Sequence, residues 1–183
     1  MKTTLNKIRA HRPCHGGWWK LLHGLGKTAA DDEVIWIDQI LDHNGLNGAL
    51  WCLRSVEGFD REIRLFGVWC ARRVRHLMRD PRSVAALDVA ERFARGEASD
   101  AELSAARGLA GAARAEAWAA ASAASAAASA AAAAYAAAVA HAAWAAAVAD
   151  AVAWTAGAGI DTERAAQAEE LRRVCREMRE AGR

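Results

Sequence analysis

Residues 117–149 read AWAAASAASAAASAAAAAYAAAVAHAAWAAAVA, 33 positions of which 24 are alanine, with no Asp, Glu, Lys or Arg. This stretch limits the fold more than any other. Alanine has the highest helix propensity, so a helix costs little here. Each methyl group buries little area, on the order of 0.8 kcal/mol at best. A membrane span requires about 20 strongly apolar residues, and the only aliphatics beyond alanine are Val139 and Val148. Ser122, Ser125, Ser129 and His141 count against insertion, and Glu116 and Asp150 bracket the run where basic clusters would be needed. As a helix the run would extend about 50 Å, well past a ~30 Å hydrocarbon core. No membrane association is therefore expected. What alanine offers is thinness, which lets helix axes approach to about the lower end of the 8–10 Å range. At 100° per residue His141, Trp144, Val148 and Val152 share one side, while Tyr135 and Val139 fall on the other. That distribution predicts a helix clasped by neighbours on two sides.

The remainder reads as helices punctuated by glycine. Trp18, Leu21, Leu22 and Leu25 form one stripe that ends at Gly24 and Gly26. Thr28 followed by Asp31, Asp32 and Glu33 reads as the start of the next helix, with Trp36, Ile37, Ile40 and Leu41 on its apolar side and Gly45 as a left-handed stop. Leu46, Leu50 and Leu53 mark a further short helix. Ile63, Phe66, Cys70, Val74 and Leu77 line a longer one. Asp80–Pro81 is a cap followed by a first-turn proline. Ala86, Val89, Ala90 and Phe93 continue the pattern to Gly96, and Ser99 with Glu102 forms a capping box. The helix opened there has no clear stop before Gly157, with Gly108 and Gly111 as possible bends, and a charged helix closes the sequence over 161–181. No strand pattern of any length is found. The segments "GALWCLR" and "FGVWCAR" share Trp–Cys–x–Arg at an offset of 18 residues, which two similarly packed helix pairs would explain.

Charge nearly cancels, at a formal +2, so bulk attraction to nucleic acid is not expected. The distribution is uneven: residues 1–30 carry six Lys or Arg and no acid, residues 31–60 net −6, and residues 61–80 net +4. The first residues lack an apolar segment long enough for a signal peptide. Cys14, Cys52, Cys70 and Cys175 are widely spaced and read as free thiols in a reducing cytoplasm.

Motifs that resemble chemistry fail on spacing. "HGLGKT" ends like a phosphate-binding loop, but the required earlier glycine is Leu21 and no buried strand precedes it. It reads instead as a helix end followed by the next helix start. His11, Cys14 and His15 lie close together, yet no second Cys/His pair follows at finger spacing, so no metal is expected. Packing of Cys14, with both histidines near solvent, is the reading there. No glycine-flanked nucleophile elbow occurs, and no enzyme or cofactor is inferred. The arginines carry more. Arg61, Arg64, Arg72, Arg75 and Arg79 project within about 80° on a continuous helix, and Asp31, Asp38 and Asp42 within about 40° on theirs. Three readings compete for the arginines: a solvated face, internal pairing of the acidic and basic helices, or docking of an acidic protein or nucleic acid. Nucleic acid is the weaker of the last two, because aromatic interleaving and a basic total are lacking.

The segments "LNKIRAHRPCHGGWWKLL", "GALWCLR", "DREIRLFGVWCARRV" and "DPRSVAALDVAERFARGEASDAELSAARGLA", followed by an Ala/Trp-rich tail, resemble a group of all-helical bacterial and prophage proteins. That group is either uncharacterised or assigned to immunity proteins that accompany polymorphic toxins. The resemblance covers roughly residues 5–150. It implies a small, cytoplasmic, non-enzymatic protein that binds a partner, and no contact residue carries over from it.

The expectation is an all-α single domain: a helical bundle over 1–96, a long Ala-rich helix over 99–156 packed against it, and a C-terminal helix over 161–181. The leading function is that of an immunity protein which binds and neutralises a toxin, with the five arginines as candidate contacts. The alternatives are a prophage or mobile-element accessory protein acting on a host system by protein binding, and an oligomerising scaffold. Oligomeric state stays open.

Overall fold

The computed structural model describes residues 1–120 and 160–182. The fold is all-α, with seven α-helices and one minimal sheet among the described residues. Where sequence length suggests one domain, the chain divides into two compact units, residues 1–59 with 168–183 and residues 60–167.

The first unit opens with strand β1 (Lys2–Thr4), paired antiparallel with β2 (Val34–Trp36). These strands correct the strand-free expectation. At three residues each they are too short for alternation to register. The register pairs Thr3 with Ile35, the one inward position on each strand. Thr3 Oγ1 meets the Ser55 carbonyl at 2.8 Å and Ser55 Oγ at 3.0 Å, and Ser55 Oγ donates to the Cys52 carbonyl at 2.7 Å. The buried hydroxyls are thus satisfied.

Helix α1 (Leu5–Ala10) is capped by Thr4, whose side chain accepts from Lys7 N. Helix α2 (His15–Gly24) ends as its glycines suggest. Gly26 takes φ 67°, and Lys27 N donates to the Leu22 carbonyl at 2.8 Å, a Schellman closure. The next helix does not start at Thr28. Residues 28–33 are loop, and Lys27 binds both Asp31 and Glu33. Helix α3 (Ile37–Cys52) starts after Trp36, whose N–H donates to Gln39 Oε1 at 2.9 Å. Its apolar side is as expected, with Ile37, Ile40 and Leu41 buried. Gly45 interrupts it at φ 72°, ψ 178°, and Leu46, Leu50 and Leu53 are buried beyond the break.

In the second unit, helix α4 (Asp60–Arg73) is followed by a 3-10 turn (Arg75–Leu77), so the expected continuation to Met78 is broken. Asp80 caps helix α5 (Pro81–Ala94) through Arg82 N at 2.8 Å. Ser99 and Glu102 close the capping box of helix α6 (Asp100–Ala120) in both directions, at 3.2 and 2.8 Å, and the helix runs unbroken past Gly108 and Gly111. Val68, Ala71, Val74, Met78, Leu87 and Ala90 form one buried cluster. A second consists of Ala86, Ala106 and Ala110 with Val89 against them. Here alanine faces alanine across α5 and α6, the close approach that small side chains permit. The expected continuation of α6 to residue 156 lies outside the described residues. The C-terminal helix, α7 (Ile160–Glu180), stands where expected.

No helix among the described residues is long and apolar enough to cross a membrane.

Two substitutions test this packing. A Cβ at Gly24 would lie 2.6 Å from the His43 ring and 2.8 Å from its Cβ, whereas one at Gly16 meets nothing within 4 Å. Gly24→Ala should lower stability by about 1–3 kcal/mol, and Gly16→Ala, inside a helix, should hold or raise it. Ala110, fully buried against α5, should tolerate enlargement poorly. Ala110→Leu is expected to cost about 1–3 kcal/mol by chemical denaturation.

Candidate functional site

The arginine set expected on one helix face is divided by the structure. Because α4 ends at Arg73, only Arg61, Arg64 and Arg72 lie on it. Arg75 falls in the 3-10 turn and Arg79 beyond Met78. The 100° rule fails where the helix stops. Arg72 is committed to α5, reaching Asp88 at 2.9 Å and Glu91 at 2.9 Å from Nε. Arg64 lies over the Phe93 ring at 5.0 Å, and partial burial lowers its pKa. Arg61, Arg75 and Arg79 are exposed, and none forms an ion pair among the described residues. Arg72 is thus paired within its own unit, with carboxylates of α5, whereas the sequence reading named Asp31, Asp38 and Asp42 as the internal partners.

Arg73, absent from the expected set, pairs with a buried carboxylate. Its Nε reaches both oxygens of the buried Glu163 at 2.8 and 2.7 Å, and its guanidinium covers Trp69 at 5.1 Å. The acidic cluster is also rearranged. Asp31 precedes α3 and pairs with Lys27. Asp38 and Asp42 do share an α3 face, and they meet Arg179 at 2.8 Å and Arg172 at 2.9 Å from α7. Arg179 also covers the Trp36 ring at 4.5 Å. Separations of 130 and 141 residues hid these partners from any local reading.

The feature missed by sequence reasoning lies in the first unit. A groove of about 320 Å³ runs between α2 and the second half of α3. Its lining includes Pro13, Cys14, Trp18, Leu21, Asn44 and Trp51, and no lining residue is acidic. Two glycines of the lining shape it. Gly17 presents its carbonyl to Asn44 Nδ2 at 2.8 Å, and Gly48 leaves room for Asn44, whose Cβ would lie 2.5 Å from an added methyl. Asn44 Oδ1 is buried without a hydrogen-bond partner among the described residues. Arg54 stacks on Trp51 at 4.3 Å and donates from Nε to the Trp51 carbonyl at 2.8 Å. Lys20 lines the groove, and Arg12 adjoins Pro13 in the chain. Neither Lys20, Arg12 nor Arg54 forms an ion pair among the described residues. The visible signal was the density of Trp, Gly and Lys over 12–20. Its meaning depended on α3, which is distant in sequence.

The Trp–Cys repeat is half structural. Cys52 and Cys70 are both buried and both tryptophans half-buried, but Arg54 covers Trp51 whereas Arg73, not Arg72, covers Trp69. Burial pushes the Cys52 thiol up to about 12 and raises that of Cys175. Cys14 corrects the packed reading: it is exposed, at the N-cap of α2. Its neighbours His11 and His15 complete no metal set, and no group of three or more His, Cys, Asp or Glu that could hold a metal occurs among the described residues.

Compared with known proteins, the chain matches no family model, no curated protein and no solved structure.

The four thiols should separate by accessibility. In the native protein one equivalent of an aromatic disulfide reagent should react, at Cys14, and all four cysteines should react after denaturation. Cys14→Ser should remove the native reaction. A second fast native thiol would contradict the burial of Cys52, Cys70 and Cys175.

Proposed function

We propose that this chain is a non-enzymatic inhibitory binding protein of the immunity type, holding a toxin in the cytoplasm. The sequence resemblance to immunity proteins motivates the reading. The observation that supports it best is how the cations are used. Arg72, Arg73, Arg82, Arg172, Arg173 and Arg179 are tied to carboxylates of their own units. In contrast, Arg12, Lys20 and Arg54 at the groove, and Arg61, Arg75 and Arg79 in the second unit, have no carboxylate partner among the described residues. Exposed unneutralised cations steer an acidic partner and exclude a basic one. Tryptophan and arginine, both present at the groove, are the residue types that dominate binding energy at protein interfaces.

The test is co-expression with the product of each reading frame that flanks this one, after that product alone has been shown to arrest growth. Growth should be restored, and a complex of fixed stoichiometry should be recovered that weakens as salt rises through the physiological range. Failure to neutralise that toxin, with no complex formed, would remove the immunity reading.

A further inference from the structure

We propose that the groove between α2 and the second half of α3 docks an acidic stretch of the partner protein, which inserts one aromatic or branched aliphatic side chain against Trp18 and Trp51. This rests on the binding-protein reading above and names its surface.

The volume of about 320 Å³ is at the lower limit for small-molecule sites and has room for one or two bulky side chains. Trp18 and Trp51 are each half-buried, so their remaining surface faces the groove or solvent. Filling the groove would remove that apolar area from water. Charge selects the flanks of the occupant. Lys20 is in the lining, Arg54 is clamped on Trp51, and no lining residue is acidic. Arg54 is already held by its Nε bond to the Trp51 carbonyl at 2.8 Å and by stacking. A guanidinium ordered in advance loses less entropy when a carboxylate arrives. The N-terminal turn of α2 adds to this. His15, Gly16 and Gly17 follow the N-cap, the first turn holds no acid, and the positive end of the helix opens on the lining at Gly16 and Gly17.

Single-stranded nucleic acid also uses aromatic and basic side chains, but it needs a basic track along its backbone. Here the cations at the groove are few, and residues 31–59 of the same unit carry a net −5. An acidic peptide with an apolar anchor fits the pattern better.

The experiment presents the full chain with a library of short synthetic peptides in which one central position is varied and the flanks are glutamate, glycine or lysine. Glutamate-flanked peptides with a central Leu, Ile, Phe or Trp should bind saturably and shift tryptophan emission. A central glycine should abolish binding. Lys20→Glu with Arg54→Glu, both at exposed positions, should weaken binding about tenfold or more and transfer preference to lysine flanks, with helical content unchanged. Binding that ignores flank charge would overturn the proposal. So would recognition only of a free aromatic acid or of an oligonucleotide, and so would no peptide binding at all. If the double variant neutralises the toxin unchanged, the groove assignment fails while the inhibitory function stands. If the peptides bind as expected and no toxin is neutralised, the function fails and the groove assignment stands.

Discussion

The first unit depends on the break at Gly45. At φ 72°, ψ 178° the residue occupies a region that is essentially closed to side chains. A continuous helix from Ile37 to Cys52 would place Asn44 and Gly48 in an ordinary i, i+4 relation, with their Cβ positions well apart. The break instead brings Asn44 over Gly48, so closely that a methyl group there would lie 2.5 Å from its Cβ. From that position Asn44 reaches the Gly17 carbonyl of α2. One backbone conformation therefore requires a second bare position at Gly48 and supplies the polar link from α2 to α3. The groove is the space left between α2 and the redirected half of α3. The arrangement has a polar cost, since Asn44 Oδ1 is buried without a hydrogen-bond partner among the described residues.

The second unit solves helix packing differently. It uses alanine where the first uses glycine. Ala86, Ala106 and Ala110 bring α5 and α6 together, and charged pairs fasten the edges: Arg72 to Asp88 and Glu91, Arg82 to Asp80 and Glu116, Arg92 to Glu102 at 3.1 Å. Most of these pairs are half-exposed, so each contributes only about 0–1 kcal/mol. The exception is Arg73 with Glu163, where the carboxylate is buried and both oxygens are engaged. Loss of Arg73 would leave that carboxylate, among the described residues, with the Gln167 Nε2 contact at 3.3 Å.

Legibility in the sequence followed the range of the interaction. Features decided within four or five residues were readable: the Asp80–Pro81 start, the Ser99–Glu102 box, the glycine stops at 26, 45 and 96, and the final helix. Features decided by partners far along the chain were not. Three-residue strands carry no periodicity of their own, and β1 and β2 exist only because the 29 residues between Thr4 and Val34 return Ile35 to Thr3. The acidic run at 31–33 resembles a helix start, and its actual partner is Lys27. The arginine face assumed five residues on one helix; the stop at Arg73 placed Arg75 and Arg79 elsewhere. The groove was invisible because half of its wall is α3.

These divisions bear on how a partner would be held. The cations legible in sequence as one patch are distributed in the structure between pairs that stabilise a unit and side chains that are not neutralised. Only the second class can act on approach, because a guanidinium already bound to a carboxylate presents little net field. Charges of this kind set the encounter rate and reject like-charged surfaces, whereas residence time comes from side chains removed from water at the centre of a contact. At the groove both kinds of group adjoin: Lys20 and Arg54 at the level of charge, Trp18 and Trp51 at the level of burial. In the second unit Arg61, Arg75 and Arg79 are exposed, and the one large apolar side chain there that is mostly in solvent is Leu109 of α6, 54% exposed, among the described residues. Charge without an adjoining apolar pocket can steer a partner but holds it weakly. Of these two sets of cations, the one beside Trp18 and Trp51 is the one equipped to retain what it attracts.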